Sequence, residues 1–157
     1  MIEELSAFRE QLETAFEGAA LARIRQTIDY LLQTPVLALQ ERYSAGFDLN
    51  PSTCLNLTYH HYGDDKQRGA ELARFAESYE TCGFDPVRSE LPDYLPMVVE
   101  LLSESRDDTC WWMITQYREA LAQLAERLGE AENPYSGVLQ ILAETAESAD
   151  CKENKGA

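Results

Sequence analysis

Two carboxylates and a tyrosine lie close together near two prolines in the middle of the chain. The segment is Glu90-Leu91-Pro92-Asp93-Tyr94-Leu95-Pro96, here called the 90–96 segment. Carboxylates at fixed positions can bind basic groups of a partner, or accept hydrogen bonds from the first N–H groups of a helix. Pro92 favours an extended conformation before it, and Pro96 suits a first helical turn. The pattern predicts a rigid helix entry that Asp93 can cap and that displays Glu90, Asp93 and Tyr94 at a fixed place.

Other residues that often carry catalysis or bind metals are few and poorly spaced. His60 and His61 are the only histidines, so the Glu-x-x-His pairs of a di-iron bundle and a His-Glu-x-x-His motif are missing. The four cysteines form no Cys-x-x-Cys pair, which argues against a zinc site. The large predicted core and the lack of a signal peptide argue against a disulfide framework. No dinucleotide or phosphate-loop glycine motif is present. We therefore predict no metal, no cofactor and no catalytic residues. An enzyme with an unrecognised pocket is an alternative.

The net charge of the chain is strongly negative. The sequence holds 28 acidic and 13 basic residues, which gives −15 at pH 7. Such a surface repels nucleic acids and anionic membranes and favours a basic ligand. The first residues are acidic and lack the apolar stretch of a signal peptide, and no run is long enough to span a bilayer. We therefore expect a cytoplasmic protein with no nucleic-acid partner and no membrane insertion.

Apolar residues recur every three or four positions along most of the chain, which is typical of helices, and no strand-like alternation persists. The first half predicts five helices. Their apolar positions fall within 2–16, 21–31, 36–43, 55–59 and 72–79. Asn50-Pro51 is expected to open the fourth, Asp64 or Asp65 to cap the fifth, and Gly63 and Gly83 to end these two.

Three further helices are predicted in the second half. One covers about 93–103, the longest begins at Asp107 or Asp108 and includes 114–128, and the last follows Asn133-Pro134. The residues from 150 to 157 are polar, so we expect a frayed tail there. The length of 157 residues suits one domain. We predict an all-α, single-domain bundle of about eight helices at 1–149.

An ordered set of motifs in the middle of the chain is more specific than any one of them. The set comprises Tyr43-Ser44-Ala45-Gly46-Phe47-Asp48, Leu55-Asn56-Leu57-Thr58-Tyr59-His60-His61-Tyr62-Gly63, Arg68-Gly69-Ala70-Glu71-Leu72, Tyr79, Gly83, the 90–96 segment and Glu100. It resembles the NarJ family, the assembly chaperones of membrane-bound respiratory nitrate reductase. This family belongs to the redox-enzyme maturation proteins, which include TorD and DmsD. The resemblance covers about 35–146.

The resemblance implies a TorD/NarJ-like helical fold and no catalysis. Members of the family bind the N-terminal segment of an apo catalytic subunit and hold it until the molybdenum cofactor is inserted. A basic, amphipathic segment of this kind is expected to lie in a groove with an acidic rim. A constitutive subunit of the oxidoreductase is an alternative function. A monomer and a domain-exchanged dimer are both compatible with the family.

Carried over residue by residue, the resemblance implies seven peptide-binding positions. They are Tyr43, Phe47, His60, Arg68, Glu90, Asp93 and Tyr94. The aromatic rings are expected to supply groove surface, the two carboxylates to face basic side chains of the client, and His60 to tune affinity with pH. Arg68 has the alternative role of pairing with a buried acid, and Tyr43 and Phe47 have the alternative role of core residues. Gly46 and Tyr62 depart from the family pattern, which leaves the client open among nitrate, selenate, chlorate and ethylbenzene-type oxidoreductases.

Overall fold

The computed structural model describes residues 8, 11, 12, 16–85, 89–105 and 108–153. Eight α-helices lie entirely within these residues: α1 (Gly18–Gln33), α2 (Val36–Tyr43), α3 (Leu57–Tyr62), α4 (Arg68–Thr81), α5 (Leu95–Glu104), α6 (Trp112–Thr115), α7 (Arg118–Glu130) and α8 (Ser136–Glu153). A π-helical turn (Ser44–Asp48) and two 3-10 turns (Pro51–Thr53 and Asp108–Cys110) lie between them. Strand-type pairing among the described residues is limited to an isolated bridge between Asn56 and Tyr94. The prediction of an all-α, single-domain bundle is confirmed.

The core is formed by the apolar helix faces that the periodicity predicts. On α7 the buried residues are Leu121, Leu124, Ala125 and Leu128. Their spacing places them on one face, which packs extensively against α8. Helix α8 also packs against α1, and α5 adds Leu95, Val98 and Leu101 to the core. No helix among the described residues is both long and apolar enough to cross a membrane.

The first and last predicted helices reach the limits of the described residues. Phe8, Gln11 and Leu12 are helical, but the rest of 1–15 lies outside the described residues. Helix α8 continues to Glu153, past the predicted boundary at 149, and it is the longest of the described helices. The predicted boundary at 149 therefore falls within this helix, and the expected frayed tail stays a prediction. Residues 154–157 lie outside the described residues.

The prediction of one long helix from Asp107 or Asp108 is wrong, because the helix is interrupted at Tyr117. Helix α6 ends and α7 begins on either side of this residue. The Tyr117 N–H donates to the Ile114 carbonyl at 3.1 Å, in a tighter turn than that of an α-helix. Tyr117 is buried, and its ring centroid lies 5.7 Å from that of Phe75. The break therefore lets the buried residues of both helices face the same core.

The helix predicted to open at Asn50-Pro51 begins later, at Leu57. The Asn50 side chain accepts the Ser52 N–H at 3.1 Å, but this bond caps only the short 3-10 turn. The backbone is then extended at Asn56, and the Leu57 N–H donates to the Asp93 carbonyl at 3.1 Å. Pairing with a distant segment thus replaces local helix formation.

Two predicted helix ends are confirmed. Gly63 ends α3 with a φ of 53°, and Gly83 follows α4 with a φ of 77°. Residues with a side chain rarely adopt a positive φ, so glycine is suited to both ends.

The structure pairs two cysteines, which corrects the prediction that argued against disulfides. Cys82 follows α4, Cys110 precedes α6, and a disulfide joins them across a sequence separation of 28. Local spacing did not reveal the pair, because its two cysteines lie 28 residues apart. Cys54 has a free thiol.

Candidate functional site

Asp93 lies at the centre of a buried polar network between the 90–96 segment and α3. Its side chain is 0% exposed. One carboxylate oxygen accepts hydrogen bonds from the backbone N–H of Thr58 at 3.0 Å and from its hydroxyl at 2.5 Å, and the other accepts from Asn56 Nδ2 at 3.0 Å. Arg68 Nη2 lies 3.6 Å from the carboxylate and supplies a positive charge. The buried charge is therefore both paired and hydrogen-bonded, as burial requires.

Asp93 caps a helix, but not the predicted one. Tyr94 precedes the first residue of α5 and makes no side-chain cap bond. The Asp93 carboxylate instead accepts the Thr58 N–H, in the first turn of α3, from 35 residues away. A carboxylate is favourable there, because the first N–H groups of a helix have no partner within the helix. Pro96 lies in the first turn of α5, as predicted.

Arg68 begins α4 and points into the same network. Its Nε donates to the Thr58 hydroxyl at 2.9 Å, and its guanidinium carbon lies 5.4 Å from the Tyr59 ring centroid. Asp65, one of the two predicted caps, accepts the Gln67 N–H at 2.8 Å in the turn before the helix. Arg68 therefore pairs with a buried acid, which was its alternative role, and it links α3, α4 and the 90–96 segment.

Tyr43 and Phe47 belong to an aromatic cluster that also includes Tyr135. The ring centroids of Tyr43 and Phe47 lie 4.9 Å apart, and Tyr135 lies 5.6 Å from Phe47. The hydroxyls of Tyr43 and Tyr94 lie 2.6 Å apart. Burial and this hydrogen bond raise the pKa of Tyr43 well above 10, so its hydroxyl stays protonated at neutral pH. The bond joins the end of α2 to the 90–96 segment.

His60 holds α3 against the extended residues that precede it. Its Nε2 lies 2.7 Å from the Cys54 carbonyl oxygen, which can only accept, so Nε2 is the donor. Burial lowers the pKa of His60 below its usual 6.5, and the imidazole is therefore neutral at pH 7.

A cavity of about 260 Å³ opens beside the polar network. It is lined by Phe47, Asp48, Cys54, Leu55, Asn56, Glu90 and Tyr94. Phe47 and Leu55 are buried and supply apolar surface, whereas Asp48 and Glu90 are exposed. Small-molecule pockets usually measure about 300–1,000 Å³, so this cavity suits one side chain better than a whole cofactor.

The two carboxylates of the cavity have no cationic partner among the described residues. The residues that follow Asp48 and Glu90 are Leu49 and Leu91, which are 79% and 44% exposed. Exposed carboxylates and exposed leucine side chains therefore occur together beside the cavity. This combination suits a partner segment that is basic and amphipathic.

The seven predicted residues thus fall into two groups. Phe47, Glu90 and Tyr94 line the cavity, with Tyr43 bonded to Tyr94 behind it. His60, Arg68 and Asp93 instead make bonds that fix the surrounding segments. Sequence analysis missed Asp48, although it follows a predicted residue directly, and Tyr135. In the part of the chain that the structure describes, no cluster of three or more His, Cys, Asp or Glu residues could hold a metal ion.

Comparison with known proteins places the whole site within one family. The model of a family described as nitrate reductase delta subunit matches residues 9–140. The chain belongs to this family. The predicted resemblance to NarJ is confirmed by relatives that are named as such.

Three relatives show how far the similarity to this delta-subunit family extends. The probable nitrate reductase molybdenum cofactor assembly chaperone NarJ of Bacillus subtilis is 32% identical over 117 residues, which are 74% of this chain and 64% of that protein. The corresponding chaperone NarJ of Escherichia coli is 30% identical over 113 residues, 72% of this chain and 48% of its own length. The nitrate reductase-like protein NarX of Mycobacterium tuberculosis is 31% identical over 138 residues, 88% of this chain and 21% of its own length. The chain therefore matches less than two-thirds of each relative.

Proposed function

We propose that this protein is an assembly chaperone for a molybdoenzyme. It binds the N-terminal segment of the apo catalytic subunit of a nitrate reductase-type enzyme and holds that subunit competent for insertion of the molybdenum cofactor. The observation that carries the proposal is the cavity, whose two carboxylates have no cationic partner among the described residues, in a family whose named relatives include molybdenum cofactor assembly chaperones. A cytoplasmic location is part of the proposal.

The client segment binds by its apolar face and its charge together. Its apolar side chains cover Leu49 and Leu91, and each square ångström of apolar surface removed from water contributes about 25 cal/mol. A basic side chain enters the cavity between Asp48 and Glu90, and its alkyl part packs on the ring of Tyr94. The charge of −15 attracts such a segment from a distance and speeds its association.

Asp93 and Arg68 support this site from behind and do not contact the client. Asp93 is fully buried, and its oxygens accept bonds from Thr58 and Asn56. These contacts hold α3 and α4 against the 90–96 segment before any client arrives. A site that is already ordered loses less conformational entropy on binding, so the network contributes to affinity indirectly.

A calorimetric titration with a client peptide tests the proposal. The peptide comprises about 20 residues from the start of the catalytic subunit, roughly 30 Å long if helical. We expect micromolar or tighter binding to the wild-type protein, and clearly weaker binding of a peptide whose basic residues are replaced by glutamine. Absence of binding heat with the natural peptide would overturn the proposal.

Purification of the client enzyme separates the chaperone from a constitutive subunit. The chaperone is expected to accompany the apo catalytic subunit and to be absent from the mature enzyme. A fixed proportion of this protein in the mature enzyme would favour the constitutive subunit instead.

A further inference from the structure

A single covalent bond closes the part of the chain that carries the candidate site. The disulfide between Cys82 and Cys110 encloses residues 83–109, which include Glu90, Asp93 and all of α5. Helix α4 is thereby tied to this loop at both of its ends. At its start Arg68 pairs with Asp93 at 3.6 Å, and just after its end Cys82 bonds to Cys110.

The two cysteines differ in their exposure to solvent. Cys110 is 2% exposed and belongs to the hydrophobic core, whereas Cys82 is only partly buried. A small thiol or disulfide therefore reaches the sulfur of Cys82 before that of Cys110. Access at one sulfur is sufficient for exchange, because thiol–disulfide exchange proceeds through a mixed disulfide on one cysteine.

We propose that Cys82 and Cys110 form a reversible redox pair that sets the affinity of the candidate site, an inference that rests on the proposed function. The oxidant is a small-molecule disulfide. The Cys82 thiolate attacks it, forms a mixed disulfide and releases one small thiol. The Cys110 thiolate then attacks the Cys82 sulfur, forms the protein disulfide and releases the second small thiol. Two electrons pass from the cysteines to the oxidant, and the two cysteine protons balance those of the small thiols.

Oxidation strengthens client binding, because the closed loop restricts the 90–96 segment in advance. A pre-ordered segment loses less entropy when the client binds. Coupling between two binding events in proteins is commonly about 5- to 150-fold, and we expect about tenfold here. Linkage also requires the client peptide to favour formation of the disulfide by the same factor.

The test compares two states of the full chain. One sample is oxidised with oxidised glutathione and the other is reduced with a phosphine, and mass spectrometry after alkylation verifies the state of Cys82 and Cys110. Titration with the client peptide should give about tenfold tighter binding to the oxidised protein. The Cys82→Ser variant should bind equally in both buffers, with the affinity of the reduced wild type. The partly exposed position of Cys82 makes this variant preferable to one at the buried Cys110.

Two outcomes overturn the redox inference and leave the chaperone proposal intact. One is equal affinity in the two verified states, and the other is failure of Cys82 and Cys110 to pair under oxidised glutathione. If the peptide binds neither state, the chaperone proposal fails. The effect of the disulfide on the order of the 90–96 segment is then measured without a ligand. The oxidised protein should unfold about 10 °C higher and exchange the amides of 89–95 more slowly. Equal rates of amide exchange in the two states would show that the disulfide does not restrict residues 89–95.

Discussion

Glu90 and Asp93 lie three residues apart in one segment, yet the structure gives them opposite environments. Asp93 is fully buried and bonded to Thr58, Asn56 and Arg68. Glu90 is exposed at the cavity and has no cationic partner among the described residues. The same type of charge therefore serves stability at one position and is available for binding at the other, because α3 and α4 cover only Asp93.

The largest effect should come from removing the buried carboxylate. We expect Asp93→Ala to lower the free energy of unfolding by about 3 kcal/mol, because Arg68 and Thr58 lose their partner inside the protein. Urea denaturation measures this loss. The matched change Glu90→Ala, at an exposed position, should alter stability by less than about 0.5 kcal/mol. Similar losses in the two variants would contradict the contrast between them.

Substitutions at the cavity should have the opposite effect to Asp93→Ala: they should weaken peptide binding and leave the stability unchanged. We expect Asp48→Asn together with Glu90→Gln to weaken client-peptide binding about tenfold, or about 1.4 kcal/mol, because the basic side chain loses its counter-charges. Calorimetry at low ionic strength measures the change, since salt screens exposed charges. Glu126→Gln, an exposed position on α7, serves as the control and should bind as the wild type does. Equal weakening in the control would indicate a general effect of net charge.

The hydroxyl pair behind the cavity should make a smaller contribution. Tyr94→Phe is expected to lower the free energy of unfolding by about 1 kcal/mol, because the partly buried Tyr43 hydroxyl loses its partner at 2.6 Å. Thermal or chemical denaturation measures this loss of stability. In a double-mutant cycle with Tyr43→Phe, the two effects should be clearly non-additive. Simple additivity would show that the two hydroxyls are not coupled.

The smallest expected effect is a pH dependence from His60. Burial holds its pKa in the folded protein below 6.5, so the folded state binds the proton less tightly than the unfolded chain. The contribution of neutral His60 to the free energy of unfolding is therefore present above pH 6.5 and is lost as the pH falls through the lowered pKa. Denaturation between about pH 7 and pH 5 should show this loss, and His60→Gln should reduce the slope. The role of His60 in tuning client affinity stays a prediction.

Sequence analysis identified residues that line the cavity, but it did not identify the hydrogen bonds of the buried polar network around Asp93. Glu90 and Tyr94 were predicted as binding residues, and both line the cavity, but their role in binding stays a prediction. The cap made by Asp93 was assigned to the following helix, because an Asp before an apolar run is the usual local signal. Its actual partner, Thr58, lies 35 residues away and carries no such signal.

The sequence by itself determined the helical class, most of the buried faces, the ends at Gly63 and Gly83 and the family. These properties depend on periodicity, backbone preferences and ordered motifs, which act within or between short stretches of chain. Only the tertiary structure decided which carboxylate is buried, which cysteines pair and where α3 begins. These properties depend on contacts between segments tens of residues apart, and no local pattern encodes which segments approach one another.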